Sequence, residues 1–391
     1  HYAVSQYGHN YLALSQSTMG SPDPYQVSGT GASYNWPQVT TLADGTFVVS
    51  WNVQDANSSG QLLSDIYGQR FDASGNTIGS EFQINQEDGF NHAKLTWTSD
   101  ETGGFTAIWT KSETVIDTEG NSSEVVRGLL GQHFDALGSK SGSVFSVTET
   151  DNLGHPKATT LSNGNTVVVW LELVGNDNNE KHFHGRIIDQ SGSAVTDAFE
   201  IDTNPIFNNH YEYGFQIDTL SNGGFVVTWR PDGVMDDKGQ DGSSSGVYGR
   251  IFGADGTATT DEIAINTYVE GYQSNNSLVS LTDGDFVSIW NSWGQDGSSA
   301  GVYGQRFNAL GNKVELVSYA QGASGDILEN MAGVVVGSLA IVDADVGDSH
   351  TYIVSGVDAE LFEVLDGQLK LKDIVSADFE TQTSYSVTVT A

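Results

Sequence analysis

The sequence predicts an all-β protein: a β-propeller of four-stranded blades, five full repeats plus a partial sixth, followed by a small β-sandwich. Three observations predict it. The 46 glycines against 6 prolines, many in Asp-Gly, Asn-Gly and Ser-Gly pairs, mark frequent tight turns between short strands. Five similar apolar strands end in Trp51, Trp109, Trp170, Trp229 and Trp290, spaced by 58, 61, 59 and 61 residues, and a fixed period is the signature of a repeat architecture. From about Gln321 the tryptophans stop and shorter alternating segments take over.

Each repeat reads in the same order. Strand A leads to a turn whose glycine lies six residues before the tryptophan: Gly45, Gly103, Gly164, Gly223 and Gly284. Strand B follows as TFVVSW in the first unit and NTVVVW in the third. After a variable loop comes strand C, YGQRFDASG with its counterparts LGQHFDALG, HGRIIDQSG, YGRIFGADG and YGQRFNALG. A turn then gives strand D, seen as SEFQIN, SVFSVT, DAFEID and DEIAIN. Complete units run from about Tyr34 to Tyr319. The segment His1–Gly31 supplies NYLALSQ and DPYQVS as strands B and D of another blade, closed across the termini. Radial repetition leaves only short, protected sheet edges; an array of β-sandwiches is the alternative. The expected division is a propeller over 1–320 and a sandwich over 321–391.

Composition bounds the function. In 391 residues, 15 Lys and Arg against 50 Asp and Glu give a net charge of −35, which repels nucleic acid and anionic membrane and is relieved by divalent cations, calcium first. The absence of cysteine excludes disulfides and Cys-based zinc sites. The apolar stretch near Ala332–Val342, broken by Gly337 and Ser338, is too short to cross a bilayer. Because His1 is not an initiator methionine, the chain reads as a processed or trimmed piece, with any signal peptide out of view.

The last segment carries Glu329-Asn330, Asp343-Ala344-Asp345 and Asp378-Phe379-Glu380, and at these residues it resembles a cadherin-like repeat. The resemblance implies structural calcium held by Glu329, Asp343, Asp345, Asp378 and Glu380, a donor set suited to a hard cation. Solvated acidic turns are the alternative for Asp343 and Asp345. The loops QDANSSG, QDGSSSG and QDGSSAG resemble repeats of large secreted calcium-dependent adhesins and enzymes of marine bacteria, which implies a secreted or cell-surface protein. Their Asp55, Asp241 and Asp296 read as Asx turns before they read as calcium ligands.

If strands alternate in direction, the start of A, the end of B and the start of C share one rim. There the blades differ. The A-strand entrances are Asn35-Trp36, Asn91-His92, Gly154-His155, Tyr213-Gly214 and Ser274-Asn275, and Arg230 follows the fourth B-strand tryptophan. Strand C of the third unit adds His182 and His184. Repetition breaks most clearly at Asn208–Tyr213, which contains His210 and Tyr211. Histidine, tyrosine and arginine together can neutralise a carboxylate, accept a proton and donate one, the three needs of β-elimination on a uronic acid.

At these positions the sequence resembles the propeller-type polysaccharide lyases, notably ulvan lyases. The resemblance implies an acidic polysaccharide substrate, Tyr213 as base and acid with Tyr211 as substitute, Arg230 and His155 on the carboxylate, and His92 or His133 assisting. Trp36, Asn35, His182, His184, His210 and Asn275 would contact the remaining sugar. Other readings stay open: a non-catalytic carbohydrate-binding or adhesin propeller, a calcium-stiffened spacer, or a glycoside hydrolase using paired carboxylates. Singly, His155 before Pro156 reads as blade-entrance packing, His133 as a substitute for a structural arginine, and Arg230 as a surface partner of Asp232.

Overall fold

The computed structural model describes residues 33–56, 62–86, 89–100, 102–173, 180–204, 206–207, 214–231, 245–297, 299–314, 317–321, 330–341, 351–378, 385 and 387–390. Among them, each repeat folds as a four-stranded antiparallel meander. The first blade is β1 (Ser33–Thr41), β2 (Phe47–Ala56), β3 (Leu62–Phe71) and β4 (Thr77–Gln83), and the second is β5 (Asn91–Ser99), β6 (Phe105–Ile116), β7 (Ser122–Phe134) and β8 (Lys140–Thr148). The third comprises β9 (Lys157–Thr160), β10 (Thr166–Leu173), β11 (Glu180–Ile188) and β12 (Phe199–Glu200), with β13 (Ile206–Phe207) also pairing to β11. The fourth is β14 (Phe215–Thr219), β15 (Phe225–Trp229), β16 (Tyr248–Phe252) and β17 (Ile263–Ala264). The fifth is β18 (Gln273–Ser280), β19 (Phe286–Trp293), β20 (Ala300–Phe307) and β21 (Lys313–Val314). First strands lie side by side in the sequence β1, β5, β9, β14, β18, the arrangement of a β-propeller. The expected partial sixth blade, His1–Gly31, lies outside the described residues.

The apolar second strands follow from burial on both faces. Val168 and Trp170 of β10 pack with Ile108, Leu129 and Val147 of the second blade. Val167, Val169 and Leu171 of the same strand pack with Phe215, Phe225 and Trp229 of the fourth. Both sides are core, so the strand reads VVVW without polar alternation. Full burial of such a side chain is worth about 1.5–3 kcal/mol. Val48, Ile66 and Ile84 meet Trp97, Phe105 and Trp109 in the same way between the first and second blades.

Within a blade, the third strand depends on the fourth. The glycine of YGQRF, LGQHF and HGRII is a contact glycine: a Cβ on Gly131 would lie 2.4 Å from the Phe145 ring, and one on Gly185 2.7 Å from Phe199. One residue type after the fourth-strand apolar pair recurs as well. Asn85 Oδ1 accepts from Ile66 N at 2.7 Å, Asp202 Oδ1 from Phe183 N at 2.6 Å, and Asn266 Oδ1 from Val247 N at 2.6 Å. Between blades, Arg186 Nη1 donates to Val147 O and Arg250 Nη1 to Ile201 O, so each guanidinium ties its third strand to the preceding blade.

The chain divides into two compact units, residues 1–304 with 309–311, and residues 305–308 with 312–391; the division runs through β20. In the second unit the further strands are β22 (Val317–Gln321), β23 (Val335–Ile341), β24 (Ile353–Ser355), β25 (Phe362–Leu365), β26 (Gln368–Leu371) and β27 (Thr388–Thr390), with a 3-10 turn at Ala359–Leu361. One sheet runs β22-β23-β26-β25 and a second pairs β24 with β27. Phe362, Leu369 and Leu371 of the first sheet share a cluster with Val354 and Val389 of the second, giving a small two-sheet sandwich. Among the described residues no helix is long and apolar enough to cross a membrane.

Gly185→Ala places a methyl group against the Phe199 ring, and overpacking of this kind costs about 1–3 kcal/mol. Urea unfolding of the variant is expected to show a lower midpoint at an unchanged slope; an unchanged midpoint would show that the glycine is not required by the contact.

Candidate functional site

Two clusters occupy the rim formed by the ends of the second strands and the starts of the third. The first belongs to the third blade. Trp170 stands opposite His184 and Glu172 opposite His182 across β10 and β11, and alternation puts all four side chains on one face. Trp170 Nε1 donates to Glu172 Oε2 at 3.1 Å, and His184 Nε2 lies 4.0 Å from the same oxygen. The indole and the His184 ring stack at 6.2 Å. His182 Nδ1 lies 3.2 Å from Asp202 Oδ2, whose side chain is fully enclosed. Burial pushes the Asp202 carboxyl above the ordinary carboxylate range, and contact with His182 pulls it partly back.

Comparison between blades explains this pair. In the first blade the equivalent Asn85 uses its amide nitrogen to donate to Asp65 Oδ1 at 2.7 Å, and in the fourth Asn266 donates to Tyr268 O at 2.8 Å. The third blade keeps the backbone bond through Oδ1 and reverses the other side: a carboxylate oxygen replaces the amide, and His182 replaces Asp65. The signal was present in the alignment of SEFQIN with DAFEID, where Asn becomes Asp.

The second cluster joins the fourth and fifth blades. Arg230 follows the buried Trp229, and its backbone N–H donates to Gly214 O at 2.8 Å. Its Nη1 donates to the Tyr272 hydroxyl at 2.8 Å, with the guanidinium carbon 5.2 Å from the ring centroid. Tyr272 precedes β18 and Trp293 ends β19; their rings meet edge to face at 5.5 Å and 68°. Sequence reasoning missed both aromatics. The available signal was Trp293 itself, a tryptophan three residues after the repeat tryptophan, with no counterpart in the other units.

The remaining predicted residues separate. His92 is enclosed, with Nδ1 accepting from Trp109 Nε1 at 3.0 Å and its carbonyl accepting from Asn52 Nδ2 at 2.6 Å. It therefore sits in the packing of the first two blades and not on the open rim. His133, its alternative, faces Thr106 beside the turn at the opposite end of the blade, hydrogen-bonds Thr106 Oγ1 at 2.7 Å and stacks on Phe145. His155 is half-buried at the third-blade entrance, directly after Gly154, whose N–H donates to Leu171 O. Trp36 is exposed at a left-handed φ of 49°. The side chains of Asn35 and Asn275, and all of His210, Tyr211 and Tyr213, lie outside the described residues. Asp296 sits in a turn closed by Gly297 N–H to Gly294 O at 3.0 Å.

Of the carboxylates named for calcium, only Asp378 is described. Among the described residues no three acidic or histidine side chains come together as a cation site, so calcium enters no step below. At the turn end opposite the rim, a polar depression of 640 Å³ is lined by Ser and Thr side chains with Asp100 and Asp218 and by no cationic residue.

No protein-family model and no curated protein sequence matches the chain. Similar solved structures include a protein of unknown function from Dyadobacter fermentans, 11% identical at a TM-score of 0.44, covering 71% of this chain and 79% of that one. A Hadza microbial sialidase is 14% identical at a TM-score of 0.43, covering 69% of this chain and 56% of that one. The GH93 α-L-arabinofuranosidase of Fusarium graminearum, solved with arabinobiose, is 12% identical at a TM-score of 0.39, with coverages of 71% and 79%. Likeness at this level assigns no activity.

Burial holds the His133 imidazole below its ordinary value, so the folded chain takes up this proton less readily than the unfolded one. Stability from the neutral ring is full above the unfolded value of about 6.5 and falls as pH drops below it. The melting temperature is expected to fall from about pH 7.5 to about pH 5, and His133→Gln to flatten that slope; an equal slope in the variant would remove His133 as its source.

Proposed function

We propose that this protein binds an acidic, uronate-containing polysaccharide at the rim of its third to fifth blades and cleaves it by β-elimination, as a secreted or cell-surface protein. The observation that carries the reading is the His182–Asp202 pair. At a position that is a structural amide in the first and fourth blades, the third blade holds a buried carboxylate against an imidazole. An imidazole oriented by a carboxylate is a general base, and the neighbouring blade carries Arg230, whose planar fork suits a sugar carboxylate.

In this reaction the base takes the C5 proton, the C5–H pair becomes the C4–C5 double bond, and the C4–O4 bond breaks with its electrons leaving on O4. The imidazolium then passes its proton to that oxygen. Tyr213, with Tyr211 as substitute, is the alternative carrier of that proton, as base and acid in place of the imidazole. The binding-only alternative is favoured by one observation, the use of His92 in packing, and predicts affinity without a new double bond. Calcium at the cadherin-like unit is a structural proposal: chelation is expected to lower the melting temperature of that unit, and an unchanged melt removes it.

Incubation with ulvan, alginate and glycosaminoglycans is expected to raise the ultraviolet absorbance of the unsaturated uronate. Asp202→Asn restores the amide of the first and fourth blades, so the fold is expected to be retained while the rate drops by about 10²–10⁴-fold. Absence of any rise, or an unchanged rate in Asp202→Asn, overturns the elimination reading.

A further inference from the structure

We propose that Tyr272, Trp293 and Arg230 form a subsite for one uronate residue of the polysaccharide, with the two aromatic rings against the C–H face of the sugar and the guanidinium on its carboxylate. The inference rests on the reading above for the class of polymer and adds residues which that reading does not use.

Exposure is the first argument. The five repeat tryptophans are between 0% and 5% exposed, whereas Trp293 is 40% and Tyr272 39% exposed. Neither ring is spent on the inter-blade core. A pyranose presents a ring of C–H bonds on one face, and a solvent-facing aromatic surface is its natural partner, while indole N–H and phenol O–H remain able to bond sugar hydroxyls.

Rigidity is the second. Trp293 N donates to Tyr272 O at 3.1 Å, and Gly271, at a φ of 76°, brings its backbone so close that a Cβ would lie 2.9 Å from Trp293 O. The two rings are thus carried on backbone held together at its root, which reduces the ordering cost of binding.

Charge is the third. The Tyr272 hydroxyl accepts from Arg230 Nη1 at 2.8 Å, which puts a guanidinium beside the aromatic pair. A neutral sugar gains no charge pairing from that cation, whereas a uronate carboxylate does. One carboxylate per sugar matches one guanidinium beside one aromatic pair.

The test is a titration of the whole chain with a uronate oligosaccharide prepared from alginate and with a neutral oligosaccharide of the same length, followed by calorimetry and tryptophan fluorescence. Binding of the uronate with a change in fluorescence is expected. Trp293→Ala should weaken it by about tenfold or more. Tyr272→Phe keeps the ring, releases the guanidinium, and should lower preference for the acidic over the neutral sugar, as should Arg230→Gln. Trp293 and Tyr272 are surface residues, and an unchanged melt in each variant checks the fold. Equal affinity for both sugars, or unchanged affinity in both Trp293→Ala and Tyr272→Phe, overturns the subsite. Uronate binding lost in Trp293→Ala with no double bond formed by the native chain supports the subsite and overturns the elimination reading alone.

Discussion

The second and third blades of this propeller are apolar on both faces, and that single constraint orders the rest. A sheet whose second strand sends Val168 and Trp170 one way and Val167 and Val169 the other has no face to give to water. It is stable only between two neighbours. The faces are thereby closed to function, and polar chemistry is driven to the strand ends. There the alternatives are the turn end, built from repeated Gly turns, and the rim of variable loops.

The fourth strand shows how function enters such a repeat without breaking it. Asn85, Asp202 and Asn266 all give an oxygen to a third-strand N–H, and that bond is the structural requirement. The second atom of the side chain is left to vary. Where it is an amide nitrogen it donates to Asp65 Oδ1 or to Tyr268 O; where it is a carboxylate oxygen it faces His182. Exchanging Asn for Asp keeps the backbone bond and adds one titratable group, Asp202, beside His182. The burial that raises the Asp202 carboxyl is the same burial that makes its Oδ1 bond effective in the ladder.

The repeat itself was legible from the sequence because its causes are local: turn glycines, a both-faces-buried strand and a contact glycine recur at fixed intervals. Side-chain direction at the blade entrances was not. Strand β5 shifts register between Ala93 and Thr96 with Lys94 at a φ of 53°, and β1 shifts between Asn35 and Gln38 with Trp36 at 49°. A bulge breaks period-two alternation. By register Asn35 stands opposite Asn52 and Ala93 opposite Thr110, each the residue after a repeat tryptophan, so Trp36 matches Lys94 and not His92: His92 turns into the core beside Trp109 and Trp36 turns out to solvent. Tyr272 and Trp293 were hidden for another reason. They are 21 residues apart and meet only because β18 and β19 pair, a contact that comparison of one repeat with the next does not contain.

Charge decides how such a rim has to work. Of the few cations, Arg70 binds Asp44, Arg127 binds both Glu113 and Asp151, and Arg186 and Arg250 bind main-chain carbonyls between blades. These are structural uses that leave the long-range field of the molecule negative. Arg230 reaches the Tyr272 phenol, and beyond a screening length of about 8 Å at physiological ionic strength a single cation adds little to that field. On the uronate reading proposed above, a polyanion would not be steered to this surface; it would be retained only where one carboxylate meets the guanidinium and its ring meets the aromatic pair, a double requirement that selects where a broadly basic surface would merely adhere.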